Sequence, residues 1–336
     1  MKKKLLSILL IAAMALTMLA GCAGSDEGTT ESGDASSSEE VINIGVIQYM
    51  PHSSLDDSYN GFVDGLAEAG YVDGENIKID FQNASGEVAN CQQICEIFNG
   101  TSDIVLAIAT PAAQSAVNVF QETDVPVLFT AVTDAVGAGL VESNENPGKN
   151  VTGTLDMPVI ADQIAVIKDV LPEAETLAIL YTSSEANSAI QAEEAKEAAE
   201  ALGMNVIIQT SSTSNDIPQV LASVAGTADA IYIPSDNAFA NAMTTVNATA
   251  VENQLPVFVA FEAGIKEGGI ATTAINYYEL GKQTAAQAVR IIEGESAADI
   301  PVETQKECAL VVNETFAKSV GVEIPAEILE KATTKY

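Results

Sequence analysis

The sequence predicts an α/β protein of two similar lobes, each built on a parallel, doubly wound sheet, and three observations carry that prediction. Short β-rich apolar runs alternate with helix-period segments along most of the chain. The alternation restarts after Asn150-Val151-Thr152-Gly153. Segments of the second series repeat segments of the first in the same order.

The elements follow in chain order. Met1-Lys2-Lys3-Lys4 is a cationic start, and Leu5 to Ala20 are 16 uncharged, mostly apolar residues, short for a permanent span and right for an export signal. Residues 1–21 are therefore read as a signal peptide ending at Leu19-Ala20-Gly21-Cys22, a lipobox-like sequence in which Cys22 would carry the lipid. Residues 22–40 read as a disordered acidic tether, because from Ala23 to Glu40 every residue is Ala, Gly, Ser, Thr, Asp or Glu. Val41 to Tyr49 is a strand, and Leu55 to Ala69 a helix with apolar Leu55, Phe62, Val63 and Leu66 before a Gly70 stop. Ile77–Phe81, Ile104–Ala109 and Val125–Val132 continue as strands, with Val88–Phe98 and Pro111–Phe120 as helices between them. The second series places strands at Leu177–Tyr181, Val206–Thr210, Ala230–Pro234 and Val257–Phe261. Its helices fall at Ile160–Val170, Ala186–Leu202, Ile217–Val224 and Ala238–Asn253. Ile270–Ile275 (strand), Tyr277–Ile292 (helix) and Cys308–Val312 (strand) are too little for a third domain and must complete the first two. The expected division is 41–152 plus about 274–297 for one lobe, and 153–273 plus about 298–336 for the other, with the chain crossing more than once.

Duplication is visible in three pairs. Thr101-Ser102-Asp103-Ile104 answers to Thr227-Ala228-Asp229-Ala230, Val125-Pro126-Val127 to Leu255-Pro256-Val257, and Leu66 to Gly70 loosely to Ala199 to Gly203.

Composition removes several functions. The 336 residues hold 14 Lys+Arg against 47 Asp+Glu, a net charge of −33, which excludes a nucleic-acid partner and repels anionic lipid. With 47% hydrophobic residues the chain can bury a large core. Four Cys, a single His52 and no Trp leave no cluster for a metal, and no cofactor is expected. Cys91 and Cys95 stand one helical turn apart, which suits burial as small hydrophobes better than a redox pair or half a metal site. Phosphate-cradling, nucleophile-elbow and H-E-x-x-H signatures are missing, so an enzyme is not expected.

In parallel α/β sheets, ligands bind beyond the carboxyl ends of the strands. Four such ends are polar here: Ile108 to Ala113, Phe129 to Asp134, Leu180 to Ser188, and Ile233 to Asn237. Each alone reads as a helix cap, and the four together as a ligand site. After the first strand, Gln48 to Asp56 adds Tyr49 and His52, the latter equally well read as a surface turn.

These segments, with His52-x-Ser54-Leu55-Asp56, Ala109 to Gln114, Asn150 to Thr154, Pro234-x-Asp236-Asn237 and Leu280-Gly281-x-Gln283-Thr284-Ala285, resemble the solute-binding lipoproteins of ABC importers. The likeness is to the type I periplasmic-binding fold, in the branch of tryptophan- and phenylalanine-binding proteins. It implies two Rossmann-like lobes joined by multiple crossovers, with a ligand cleft between them. It also implies that Thr110, Pro111 and Ala112 hold a ligand carboxylate, through hydroxyl and backbone donors, and that Asp236 takes the α-ammonium. Asn187 and Asn237 would supply neutral hydrogen bonds, Tyr49 and Phe261 would contact a ring, and Ser54, Thr133 and Asp134 would complete the site.

The expected function is capture of a small solute, an aromatic amino acid, for an ABC permease and ATPase, by a monomer anchored through lipid on the outer face of the bacterial cell membrane. The alternatives are another solute, such as a branched amino acid or a sugar, and a ligand-sensing subunit of a signalling receptor.

Overall fold

The computed structural model describes residues 41–305 and 308–336. The expected signal peptide, Cys22 and the tether lie outside the described residues.

The chain opens with β1 (Ile42–Gln48), α1 (Ser53–Glu68), β2 (Ile77–Asn83), α2 (Val88–Phe98), β3 (Ile104–Ile108), α3 (Thr110–Phe120), β4 (Val127–Val132) and β5 (Val151–Leu155). It continues through α4 (Ile160–Val170), β6 (Thr176–Thr182), α5 (Ala186–Ala201), β7 (Asn205–Ser211), α6 (Ile217–Val224) and β8 (Ala230–Ile233). Then come α7 (Asn237–Asn241), α8 (Met243–Asn253), β9 (Val257–Val259), α9 (Glu262–Gly268), β10 (Ala271–Ala274) and α10 (Tyr277–Ile292). The chain ends with β11 (Glu303–Thr304), β12 (Ala309–Val312), α11 (Glu314–Ser319), α12 (Ala326–Lys331) and β13 (Thr334–Lys335).

Two parallel sheets carry the lobes. The first runs β11-β5-β4-β3-β1-β2 and the second β7-β6-β8-β9. If β1 to β4 are matched to β6 to β9, both share the order 2-1-3-4, as the duplicated segments predict. A small third sheet, β10-β12-β13, extends the second lobe, and its β10–β12 pairing is antiparallel. Central strands such as Val105 to Ile108 and Val127 to Val132 are buried throughout, because helices cover both faces.

Against the expected division, β5 joins the first sheet, so that lobe continues past residue 152. The two residues of β11 pair with Thr154 and Leu155, so the final return to the second lobe comes only with β12, not at about 298. The expected helix 238–253 is two helices, broken at Ala242.

Helix α10 belongs to the first lobe, packed on α1 and on β4 and β5. Gly61 of α1 and Gly281 of α10 permit the contact. A Cβ on Gly61 would collide with the Tyr278 carbonyl, and one on Gly281 with the Ser58 carbonyl. The two helices thus touch backbone to backbone, the first two turns of α10 against the second and third turns of α1. A buried hydroxyl chain, Thr130 to Thr154 (3.0 Å) to Thr284 (2.7 Å), ties β4, β5 and α10 together. Cys91 and Cys95 are free and fully buried, and burial raises their thiols to about 11 and about 12, so both are neutral packing groups.

Candidate functional site

Strand ends from both sheets meet around one cavity. From the first lobe, the β1 tip and the start of α1 supply His52, Ser54 and Leu55. The β4 tip supplies Ala131 and Thr133, the β5 tip Asp156, and the start of α10 Tyr277. From the second lobe come Asn187, Ser235, Asp236, Asn237, Ala240 and Phe261. Neither Lys nor Arg is in this lining.

The β4 tip is bent. Ala131 is left-handed at φ +54°, where the register of β4 against β5 slips between Phe129 and Val132. The slip sends Thr133 to the cavity, where its hydroxyl donates to Asp156 Oδ1 at 3.2 Å. Tyr277 donates its hydroxyl to Asp156 Oδ2 at 2.7 Å. Burial raises the Asp156 pKa, while these two donors favour the carboxylate.

Asp236 is the N-cap of α7: Oδ1 accepts Phe239 N–H (3.0 Å) and the Thr182 hydroxyl (2.9 Å), and Oδ2 accepts Thr182 N–H (2.6 Å). It is 1% exposed, and burial raises its pKa. Behind it, Glu185 accepts the Asn237 backbone and side-chain N–H groups (3.0 and 2.6 Å) and Ala238 N–H (3.0 Å). Burial, and then the Asp236 charge, pushes Glu185 up to about 8.

The lobes touch across the cleft. His52 Nε2 lies 3.1 Å from Asn237 Oδ1, and Gln191 Nε2 donates to the Thr133 hydroxyl at 3.2 Å while its Oε1 accepts Ser235 N–H at 2.7 Å. Asn237 spends its amide N–H on Glu185, so its oxygen accepts from His52 Nε2–H, which leaves Nδ1 as a lone-pair acceptor. Burial lowers His52 to about 4, so the ring is neutral at pH 7.

Four buried polar atoms on lining residues have no hydrogen-bond partner: His52 Nδ1, Ser54 Oγ, Asn187 Oδ1 and Ser235 Oγ. Native proteins seldom leave such atoms unsatisfied, and four around one cavity point to a polar occupant.

Of the residues singled out from sequence, the structure brings Ser54, Thr133, Asn187, Asp236, Asn237 and Phe261 to the cavity. Tyr49, Thr110, Pro111, Ala112 and Asp134 do not line it. Thr110, Pro111 and Ala112 are buried at the start of α3. Tyr49 is buried, and Asp134 caps its own turn by accepting Gly137 N–H (2.9 Å). Sequence reasoning missed Asp156, Tyr277 and the supporting Glu185 and Gln191. Asp156 was traceable, since it follows Val151 to Leu155, a β-branched run that looked like a boundary.

Over residues 43–336 the chain matches the model of the family described as ABC transporter substrate binding protein. A tyrosine-binding protein of Clostridioides difficile (strain R20291) is 36% identical over 323 residues, 96% of this chain and 93% of that protein. An ABC domain in complex with L-Trp from Streptococcus pneumonia superposes with a TM-score of 0.85 at 35% identity, over 88% of this chain and 100% of that one. The ligand-free, open structure of a substrate-binding protein with adhesive properties from Clostridium difficile scores 0.67 despite 39% identity, over 88% and 99%. A lower score at higher identity is what lobe rotation produces, and the bonds across the cleft mark this chain as closed. Sequence, fold and cleft agree, and the chain belongs to the ABC transporter substrate-binding proteins.

Proposed function

We propose that the protein captures an aromatic L-amino acid between its lobes and hands it to the permease and ATPase of an ABC importer. Members of the family bind solutes outside the cytoplasm and are not enzymes. The observation that carries the reading is the lining itself. Two buried carboxylates, Asp156 and Asp236, face a cavity without a cation of its own, while Leu55, Ala131, Ala240 and Phe261 give it an apolar wall. An α-ammonium supplies the missing positive charge and three N–H donors for the unpartnered acceptors Asn187 Oδ1 and His52 Nδ1. An aromatic side chain suits the apolar wall. The relatives named for tyrosine and solved with L-Trp support the same class. Anchoring through a lipid on Cys22 belongs to this reading and rests on the lipobox-like Leu19-Ala20-Gly21-Cys22.

The test is a thermal-shift screen of the twenty amino acids and common sugars against the soluble body. Ligand at about a hundred times its Kd adds about 2.7 kcal/mol of stability, which appears as a clear rise in Tm. The reading predicts that L-tyrosine, L-tryptophan or L-phenylalanine gives the largest rise. A larger rise with a sugar or a branched amino acid would replace it.

A further inference from the structure

An amino acid brings a carboxylate as well as an ammonium, and the cavity must neutralise it without Lys or Arg. Helix N-termini are the remaining positive groups. In the second lobe, Glu185 and Asp236 accept the first-turn N–H groups of α7, at Asn237, Ala238 and Phe239. The start of α5 is uncapped, but the unpartnered atom that its Asn187 brings to the lining is an acceptor, Oδ1, which suits the ammonium. The start of α3 does not reach the lining.

The first lobe offers two more open starts. Helices α1 and α10, of 16 residues each, pack closely where Gly61 and Gly281 let the first two turns of α10 meet the second and third turns of α1. Ser54 and Tyr277, from their first turns, both line the cavity. The N-cap of α1, His52, makes no side-chain cap bond. Among the described residues, the first-turn N–H groups of Ser53, Ser54, Tyr277 and Tyr278 have no acceptor. The independent observation is Ser54 itself: it is 3% exposed, and its Oγ is buried without a hydrogen-bond partner.

We infer that the ligand carboxylate is held at the paired N-termini of α1 and α10, accepting from the Ser54 hydroxyl and the adjacent backbone N–H groups. This rests on the amino-acid reading above and adds an orientation to it: carboxylate toward the first lobe, ammonium toward Asp236 in the second. It also moves the carboxylate from the α3 start, where the family likeness placed it.

The test compares wild type, Ser54→Ala and Thr110→Ala by calorimetry with L-tyrosine, L-tryptophan and tyramine, which lacks the carboxylate. Ser54→Ala is expected to weaken both amino acids about tenfold or more, the loss of a hydrogen bond to a charged group, and to leave the weak tyramine affinity unchanged. Thr110→Ala is expected to bind as wild type does. Because tyramine is measured on the same protein, a folding defect shows as a loss for all three ligands, and such a uniform loss overturns the assignment. So does Ser54→Ala binding L-tyrosine and L-tryptophan like wild type, or Thr110→Ala taking the loss instead. Wild type that binds no amino acid removes the function and the orientation together. Wild type that binds them, with an unaffected Ser54→Ala, removes only the orientation.

Discussion

In both lobes the same turn leads into the third strand of the duplicated unit. Thr101 and Thr227 donate their hydroxyls to carbonyls in the last turn of the preceding helix, Phe98 and Val224 among them. Asp103 Oδ2 accepts Asn43 N–H (2.7 Å), and Asp229 Oδ2 accepts Glu175 and Thr176 N–H (2.8 Å each), at the start of the first strand of each lobe. At the opposite, carboxyl ends of the strands the likeness stops. After the first strand stand His52 and Ser54 in one lobe and Glu185 in the other; after the third stand Thr110 and Asp236. The second lobe fills the start of α7 with its own carboxylates, and the first leaves the starts of α1 and α10 open. Duplication kept the scaffold and diverged at the tips: each lobe brings one buried carboxylate to the cleft, Asp156 from the first and Asp236 from the second, and the first adds the open starts of α1 and α10. That combination suits a zwitterion.

The largest effect that would break this contrast comes from removing the second lobe's charge. Asp236→Asn puts an amide N–H where Thr182 N–H now donates, and withdraws the negative charge from an ammonium. Affinity for L-tyrosine or L-tryptophan should fall by about 2–5 kcal/mol, thirtyfold or more, by calorimetry. Unchanged affinity would make Asp236 a helix cap only.

A smaller effect lies in pH. In the folded protein Glu185 is raised to about 8 from a usual value of 4.5, so between those values the folded state holds more protons than the unfolded chain, and stability falls as pH rises. His52, lowered from 6.5 to about 4, works in the opposite sense: the unfolded chain binds its proton first, so stability rises with pH across that window. The two oppose each other up to about pH 6.5, and from there to about 8 the Glu185 effect is no longer offset by His52. The ligand-free protein should lose roughly 1–2 kcal/mol over that upper range by urea unfolding. Glu185→Gln should flatten the fall and expose the His52 slope below it. A fall of equal size in the variant would assign it to other groups.

The smallest effect sharpens the likeness of the scaffolds. Asp103→Ala and Asp229→Ala should each cost about 1 kcal/mol of stability, with ligand affinity unchanged, since each removes exposed hydrogen bonds far along the sheet from the cleft. A loss of affinity in either would show that the turn is coupled to the site.

What could be read from sequence follows from what periodicity records. The order of β1 to β4 and β6 to β9 was legible because apolar runs and 3.6-residue patterns alternate there, and the repeated Thr-x-Asp turns gave the duplication. The two-residue strands β11 and β13 have no period to detect, and only the sheet shows that β11 keeps the chain in the first lobe. The break at Ala242 and the glycine-containing α9 follow tertiary packing over local preference. Within the site, Asp236 and Asn187 stood out because polar residues follow apolar strands. Asp156 went unseen because its strand did, and Tyr277 because a residue opening an amphipathic helix reads as surface. The coupling of Gln191 to Thr133, 58 positions apart in the chain, exists only in the closed fold.

The central claim is that the cleft recognises a zwitterion, its ammonium through the buried carboxylates Asp236 and Asp156 and its carboxylate through open helix starts. It is tested most directly by calorimetry of the wild-type protein with L-tyrosine and with 3-(4-hydroxyphenyl)propanoate, which keeps the ring and carboxylate and lacks the ammonium. Losing the ammonium should leave Asp236 and Asp156 facing a net negative ligand and weaken binding by about a hundredfold or more. Equal affinity for the two would contradict the account.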